Sequence, residues 1–244
     1  MGNTKWMWMV LLLAFSPAVP AQKKGETYAQ YRYGVGSAGT EFTLTFQKGK
    51  AFNHPLFAVW LADAKGDYVE TLYVSQSIGK GVFPRVNRAT GHWKEGAVQR
   101  PAALPYWAHQ RNLVNEFGTV LPTPAHPVVD GITGATPQGS FVLHLRTATP
   151  LQGTYRVLLE LNQSWDWNAF WYNDRFPADP EYKTSSQPAL VYSVEVTVPS
   201  AGGAYALKPI GHSHYSGADG SLNPDLSTLT TALQIARRIT VSLP

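Results

Sequence analysis

LFAVWLADAKGDYVETLYV, residues 56 to 74, is two apolar runs joined by a polar turn. Leu56 to Ala62 is continuous, Ala64-Lys65-Gly66-Asp67 supplies the turn, and Tyr68 to Val74 returns, which is the signature of a β-hairpin. Outward from it, a period of two recurs along the chain. Phe42, Leu44 and Phe46 alternate with Glu41, Thr43 and Thr45, and Phe141, Leu143 and Leu145 with Val142, His144 and Arg146. Tyr155, Val157, Leu159, Leu161, Gln163, Trp165 and Trp167 share one parity, so the two tryptophans are expected to continue the inward face of a long strand and plug the end of the fold. Further strands are expected at Tyr192 to Val198 and Ile239 to Leu243, with a weaker one at Tyr205 to Ile210.

Strands at this spacing, separated by turns rich in the chain's 21 glycines and 18 prolines, predict an all-β fold. The expected architecture is an immunoglobulin-like antiparallel β-sandwich with long loops and at most short helices. A single sandwich domain is expected over residues 41–244, after an N-terminal extension at 22–40, with a long insertion at about 75–127. A connection of that length carries either function or structure of its own. Within it, Pro101 to Asn115 is a candidate short helix. A second is Asp225 to Arg238, where Asp225 suits an N-cap and Leu229, Leu233 and Ala236 recur at helical spacing.

The chain has no cysteine among its 244 residues, which excludes disulfides, a thiol nucleophile and thiolate metal sites. Residues 1–21 read as a secretory signal: Lys5 is the positive n-region, Trp6 to Phe15 an apolar run too short to span a bilayer, and Val19 and Ala21 suit signal peptidase. Cleavage near Gln22 leaves 19 basic and 16 acidic side chains, and the expected location is periplasmic or secreted. The basic residues are scattered, so no nucleic-acid stripe is expected. Gly-x-Ser-x-Gly, phosphate-loop and His-Glu-x-x-His motifs are absent, so the expected role is a redox carrier or binding module rather than a turnover enzyme.

Three segments carry residues suited to chemistry. In Asp130-Gly131-Ile132-Thr133-Gly134-Ala135-Thr136, small residues beside a terminal hydroxyl resemble the acceptor sequence on which a flavin transferase of exported proteins places FMN as a threonine phosphoester. Thr136 is the expected attachment point in an exposed, flexible loop, with Asp130, Thr133, Gly134 and Ala135 at the acceptor spacing. Pro137 departs from the pattern and biases Thr136 toward an extended backbone; a plain sandwich loop is the competing reading. Next, Trp165 to Asp174 holds three tryptophans, and Trp171 and Tyr172 are expected at the surface as a stacking platform for an isoalloxazine ring or a sugar. Last, His212 and His214 stand two apart, which on a strand points both to one face where they can share a metal, with Asp219 and Asp225 available to complete it. Satisfaction of local backbone groups is the competing reading.

Taken in order, Phe57 to Leu61, Thr71 to Val74, Ala103 to Trp107, Asp130 to Pro137, Leu161 to Asn168, Ser186 to Tyr192, Gly211 to Ser213 and Leu229 to Ala232 resemble the predicted periplasmic family called domain of unknown function 2271, also labelled a FlgD-like immunoglobulin-domain protein. The resemblance implies export, an immunoglobulin-like sandwich, and a flavin transferase and a PepSY-type membrane protein as partners. It also implies an accessory or electron-transfer role with covalent FMN. The alternative is a cofactor-free binding module beside a membrane partner, with metal uptake as its candidate role.

Overall fold

The computed structural model describes residues 26–34, 36, 38–86, 93–128, 133–134 and 136–244, without side-chain detail at 84–86, 93–95 and 133; the expected signal at 1–21 lies outside them. In chain order the elements are β1 (Ala29–Arg32), β2 (Glu41–Lys48), β3 (Leu56–Asp63), β4 (Tyr68–Ser75), α1 (Gln76–Lys80), β5 (Val82–Val86), β6 (Trp93–Ala97), α2 (Pro105–Arg111) and β7 (Thr133–Gly134). They continue with β8 (Phe141–Arg146), β9 (Gly153–Asn162), β10 (Leu190–Val198), β11 (Ala204–Ala206), β12 (Lys208–Ser213), β13 (Leu222–Asn223) and β14 (Ala236–Ser242). Two sheets pack face to face, one in the order β1-β8-β2-β14-β11 and the other β13-β12-β10-β9-β3-β4-β7. This is the all-β sandwich expected from the sequence, with only short helices. Pairing is antiparallel except at two edges, where β1 runs parallel to β8 and β7 parallel to β4. Among the described residues no helix is long and apolar enough to cross a membrane.

The two sheets differ in what covers them. In the five-stranded sheet Phe42, Leu44, Phe46, Phe141, Leu143, Leu145, Ile239 and Val241 are buried while their alternate neighbours are wet, the half-buried pattern that a period of two specifies. The seven-stranded sheet is buried on both faces along β3 and the adjoining parts of β4, β9 and β10. Phe57, Val59, Leu61, Leu159, Leu161 and Leu190 face the sandwich core, whereas Ala58, Trp60, Ala62, Leu158 and Val191 pack outward against Leu104, Trp107 and Ala108. That outer layer is the insertion, and it explains the unbroken run Leu56 to Ala62: a strand covered on both sides has no polar face to keep.

Glu160 lies at the centre of this outer interface, registered between Ala58 and Val191 and fully buried. The period of two places it on a solvent-facing side, but α2 covers it. Its carboxylate accepts the N–H groups of Tyr106 (3.2 Å) and Trp107 (2.8 Å), two donors that the first turn of a helix leaves without partners and that Leu104, at the N-cap, does not satisfy. The Trp107 indole donates to Thr71 Oγ1 at 3.0 Å, and Thr71 in turn shares a 2.6 Å bond with the Tyr68 hydroxyl. The insertion is therefore tied to β4 and β9 by buried polar contacts as well as by apolar area.

Within the expected N-terminal extension, Ala29–Arg32 pairs with β8, from Ala29 opposite Phe141, and forms one sheet edge. Two expectations need correction. Asp225 to Arg238 is not a helix: only Ala232–Gln234 forms a 3₁₀ turn, and β14 begins at Ala236. Its threonines bond sideways, Thr230 to Gln187 and Thr231 to Asp166, a competition that disfavours helix. The weak strand at Tyr205 to Ile210 is two strands, β11 in one sheet and β12 in the other, so the chain crosses the sandwich there.

Burial raises the Glu160 pKa to about 8, against the opposing pull of its two backbone donors and of Ser213. The folded chain thus keeps a proton that the unfolded chain releases in the ordinary glutamate range. Its contribution is full below that range and is lost as pH rises through about 8, at about 1.4 kcal/mol per pH unit. Urea unfolding across pH 4 to 9 should show this decline in the wild type, and Glu160→Gln should flatten it; an unchanged slope in the variant would contradict the assignment.

Candidate functional site

The registers bring several loops to one end of the seven-stranded sheet. Val74 and Ser75 of β4 stand beside Thr133 and Gly134 of β7, Leu56 of β3 faces Asn162 of β9, and Leu190 of β10 faces both Leu161 and His212. The chain after β7, after β9 and after β12 all leaves from this end, and with it the three segments singled out in the sequence.

Gly134 is buried where the two sheet edges meet. The Tyr73 hydroxyl donates to its carbonyl at 3.1 Å, and a Cβ at this position would lie 2.3 Å from the Tyr33 hydroxyl and 2.9 Å from the Tyr73 ring. Only glycine fits between those tyrosines, whose rings are 5.3 Å apart. Thr136 is half-buried, and its hydroxyl donates to Ser75 Oγ at 3.1 Å; that oxygen also accepts the Phe57 N–H at 3.0 Å. Pro137 is buried. The acceptor hydroxyl is thus seated against the sheet rather than held out on an exposed, flexible segment as expected, because β7 pairs with β4 just before it. Asp130 and Ala135 lie outside the described residues, as does the Thr133 side chain.

Tyr33 also lines a neighbouring pocket of about 230 Å³ with Arg32, Gly34, His144 and Arg146. Arg146 is ion-paired with Glu41, while Arg32 is exposed. Burial first, and then the Arg32 charge, hold the His144 pKa below the usual histidine value. Desolvation raises the phenol pKa of Tyr33 and, well beyond the ordinary range, that of Tyr73, so both are neutral hydrogen-bonding groups.

The aromatic segment is inverted relative to expectation. Trp171, expected as a surface platform, is 6% exposed. Asn168 Oδ1 accepts its N–H at 2.6 Å, its indole donates to Thr228 Oγ1 at 3.1 Å, and its rings lie about 6 Å from those of Tyr182, His212 and Tyr215. Tyr172 stays half-exposed. Trp165, expected as a core plug, is 73% exposed, because β9 ends at Asn162 and a left-handed backbone at Trp165 (φ 66°) breaks the parity; Trp167 packs in part on Tyr182. Asp166 then bridges to Ser186, and its Oδ1 accepts the Thr231 hydroxyl. The Gln187 side chain donates to Asp166 O (2.8 Å) and Thr231 Oγ1 (2.7 Å) and accepts the Thr230 N–H (2.8 Å). One polar network therefore joins Trp165 to Asn168, Ser186-Gln187 and Thr228 to Thr231.

His212 and His214 do not form a shared face, since β12 ends at Ser213. His212 is buried and its Nδ1 donates to Ser213 O at 2.9 Å; His214 stacks on Tyr215, and its Nδ1 accepts the Ser216 N–H at 3.3 Å. Asp219 and Asp225 accept N–H groups of Ser221 and Ser227, and the side-chain and then the backbone hydrogen bonds of these serines hold their carboxyls below the usual range. Among the described residues no group of three His, Cys, Asp or Glu is placed to hold a metal ion.

The sequence reading missed Tyr33 and Tyr73 as neighbours of Gly134 and Ser75 as the partner of Thr136. Nothing in their spacing links residues about sixty to a hundred positions away; the pairing of distant strands does. No family model, curated protein or solved structure matches the chain.

Thermal or urea unfolding distinguishes the two tryptophans. Trp171→Ala should cost about 3–5 kcal/mol as a buried large-to-small change. Trp165→Ala should stay within about 0.5 kcal/mol, as exposed positions do. The opposite order would restore the sequence expectation.

Proposed function

We propose that the chain is an extracytoplasmic accessory or electron-transfer protein that carries FMN covalently on Thr136 and works with a flavin transferase and a PepSY-type membrane reductase. The observation that carries this reading is the run Asp130 to Thr136, with its resemblance to a flavin acceptor and to the predicted periplasmic family. Two features of the surroundings support it. The close fit of Gly134 between Tyr33 and Tyr73 gives the motif glycine a physical reason, and Thr136 is half-buried at the rim of the sheet rather than enclosed in its core. An FMN phosphoester there would be held by Thr136, with the Tyr33 ring and the exposed Arg32 nearest in chemistry to an aromatic ring and a phosphate charge. When bound, the flavin supplies one- or two-electron chemistry; the protein's part is to fix the tether and shield one side of it.

The alternative, a cofactor-free binding module, is favoured by the hydrogen bond of Thr136 to Ser75 and the burial of Pro137, which hinder a modifying enzyme. Co-expression with a flavin transferase in an exporting host separates the two. The FMN reading predicts a band that stays fluorescent after denaturing electrophoresis, is lost in Thr136→Ala and is at least partly kept in Thr133→Ala. Pro137→Thr or Ser75→Ala should raise labelling if the seated loop slows the transferase. An unlabelled wild-type protein beside a labelled positive control would leave the binding module as the better account.

A further inference from the structure

A recess of about 400 Å³ opens between the insertion and the chain that follows β12. Pro105 and Ala108 of α2 form one wall, Val120 and Leu121 a second, and Ala218 a third. Among the described residues its lining is largely apolar and holds no lysine or arginine, and its one acidic side chain is Glu181. A concave, mostly apolar space of this volume with a few polar groups is the form that small-molecule sites take.

The walls are fixed by the chain on both sides. Gly217, on a left-handed backbone (φ 74°), sits so close to Pro101 that a Cβ would overlap the Pro101 carbonyl oxygen, and a Cβ at Gly220 would overlap the His109 side chain. These two glycines seat the loop after β12 against α2 and the turn before it. Opposite, Asn115 Oδ1 accepts the Thr119 N–H at 3.0 Å and its Nδ2 donates to Leu121 O at 2.7 Å, which holds the wall of Val120 and Leu121 in place.

Glu181 brings an unmet charge into this apolar setting. Its Oε2 is buried and has no hydrogen-bond partner, and among the described residues no cation lies within ion-pair distance of the carboxyl. Burial first, and then the Asp179 charge, raise its pKa above the usual glutamate value, against the opposing pull of Arg100. Arg100 stands outside the lining, with its guanidinium over the Phe83 ring at 4.5 Å from the centroid.

We infer that this recess binds a small primary amine with an apolar body, its ammonium paired with the Glu181 carboxylate and its body against α2, Val120, Leu121 and Ala218. A charge-assisted hydrogen bond from the ammonium supplies the partner that the carboxyl lacks, and the apolar walls take the hydrocarbon out of water. The inference stands apart from Thr136 and from FMN. It gives the insertion a second role, as one side of a ligand site as well as the cover of the sheet.

NMR titration of the purified protein with phenethylamine, phenethyl alcohol and phenylpropionate tests it, since the three present one apolar body with a cationic, a neutral and an anionic head. The amine should bind most tightly. Glu181→Gln, which keeps the shape of the side chain, should weaken the amine by about tenfold or more, the order of a hydrogen bond to a charged group, and leave the alcohol nearly unchanged. Ala218→Trp, at an exposed position, should fill the recess and abolish amine binding; unfolding midpoints equal to wild type certify that both variants are folded. No binding of the amine by the wild type, or a preference for the alcohol or the acid, would overturn the inference without any variant. So would undiminished amine binding in folded Glu181→Gln or Ala218→Trp.

Discussion

A carboxyl group with no exposed surface, in the central strand of a seven-stranded sheet, has to be met by hydrogen-bond partners from outside that sheet. Glu160 is met by the first turn of α2, and the two elements depend on each other: the helix start lacks a capping side chain of its own, and the carboxyl group lacks solvent. Around this contact Trp60, Trp107, Leu104 and Leu158 form a second core on the far side of the sheet from the sandwich core. The insertion has no cysteine to cross-link it, and that packing and those bonds tie it to the sheet. The molecule is thus three layers deep over part of its width: sheet, sheet, insertion.

The covered sheet in turn fixes the loop end. Because β3, β4 and β9 are buried on both faces, their ends are rigid posts, and β7 gains a fixed partner at Val74 and Ser75. Thr136, Trp165 and His212 then leave the same end of the sheet in different settings. Thr136 is seated on Ser75, Trp165 projects into solvent on a left-handed backbone, and His212 is enclosed beside Trp171. The network of Asp166, Gln187, Thr230 and Thr231 crosses from one loop to the next, so a change in one would be felt in its neighbours.

What was legible in the sequence follows the reach of each signal. Alternation is local, and it located β2, β8 and most of β9 and β10, while a continuous apolar run with its polar turn located the hairpin β3–β4. It failed at Glu160, because alternation reports polarity and has no knowledge of a remote segment that covers the polar face. Parity failed beyond Asn162, since a single left-handed residue at Trp165 reversed which indole is buried. Helical spacing failed at Asp225 to Arg238, where threonine hydroxyls found partners on another loop. For the candidate site the motif around Thr136 was readable, whereas its neighbours Tyr33, Tyr73 and Ser75 are joined to it only by edge pairing between distant strands.

The claim on which the rest stands is that the insertion and the seven-stranded sheet form one cooperative unit. Native-state hydrogen exchange, followed by mass spectrometry on peptides covering 56–62, 155–162 and 103–111, measures it directly. Amides of α2 are expected to exchange with the same opening free energy as those of β3 and β9, and with the same dependence on denaturant. Exchange of α2 through a separate, lower-energy opening that leaves β3 and β9 protected would contradict it.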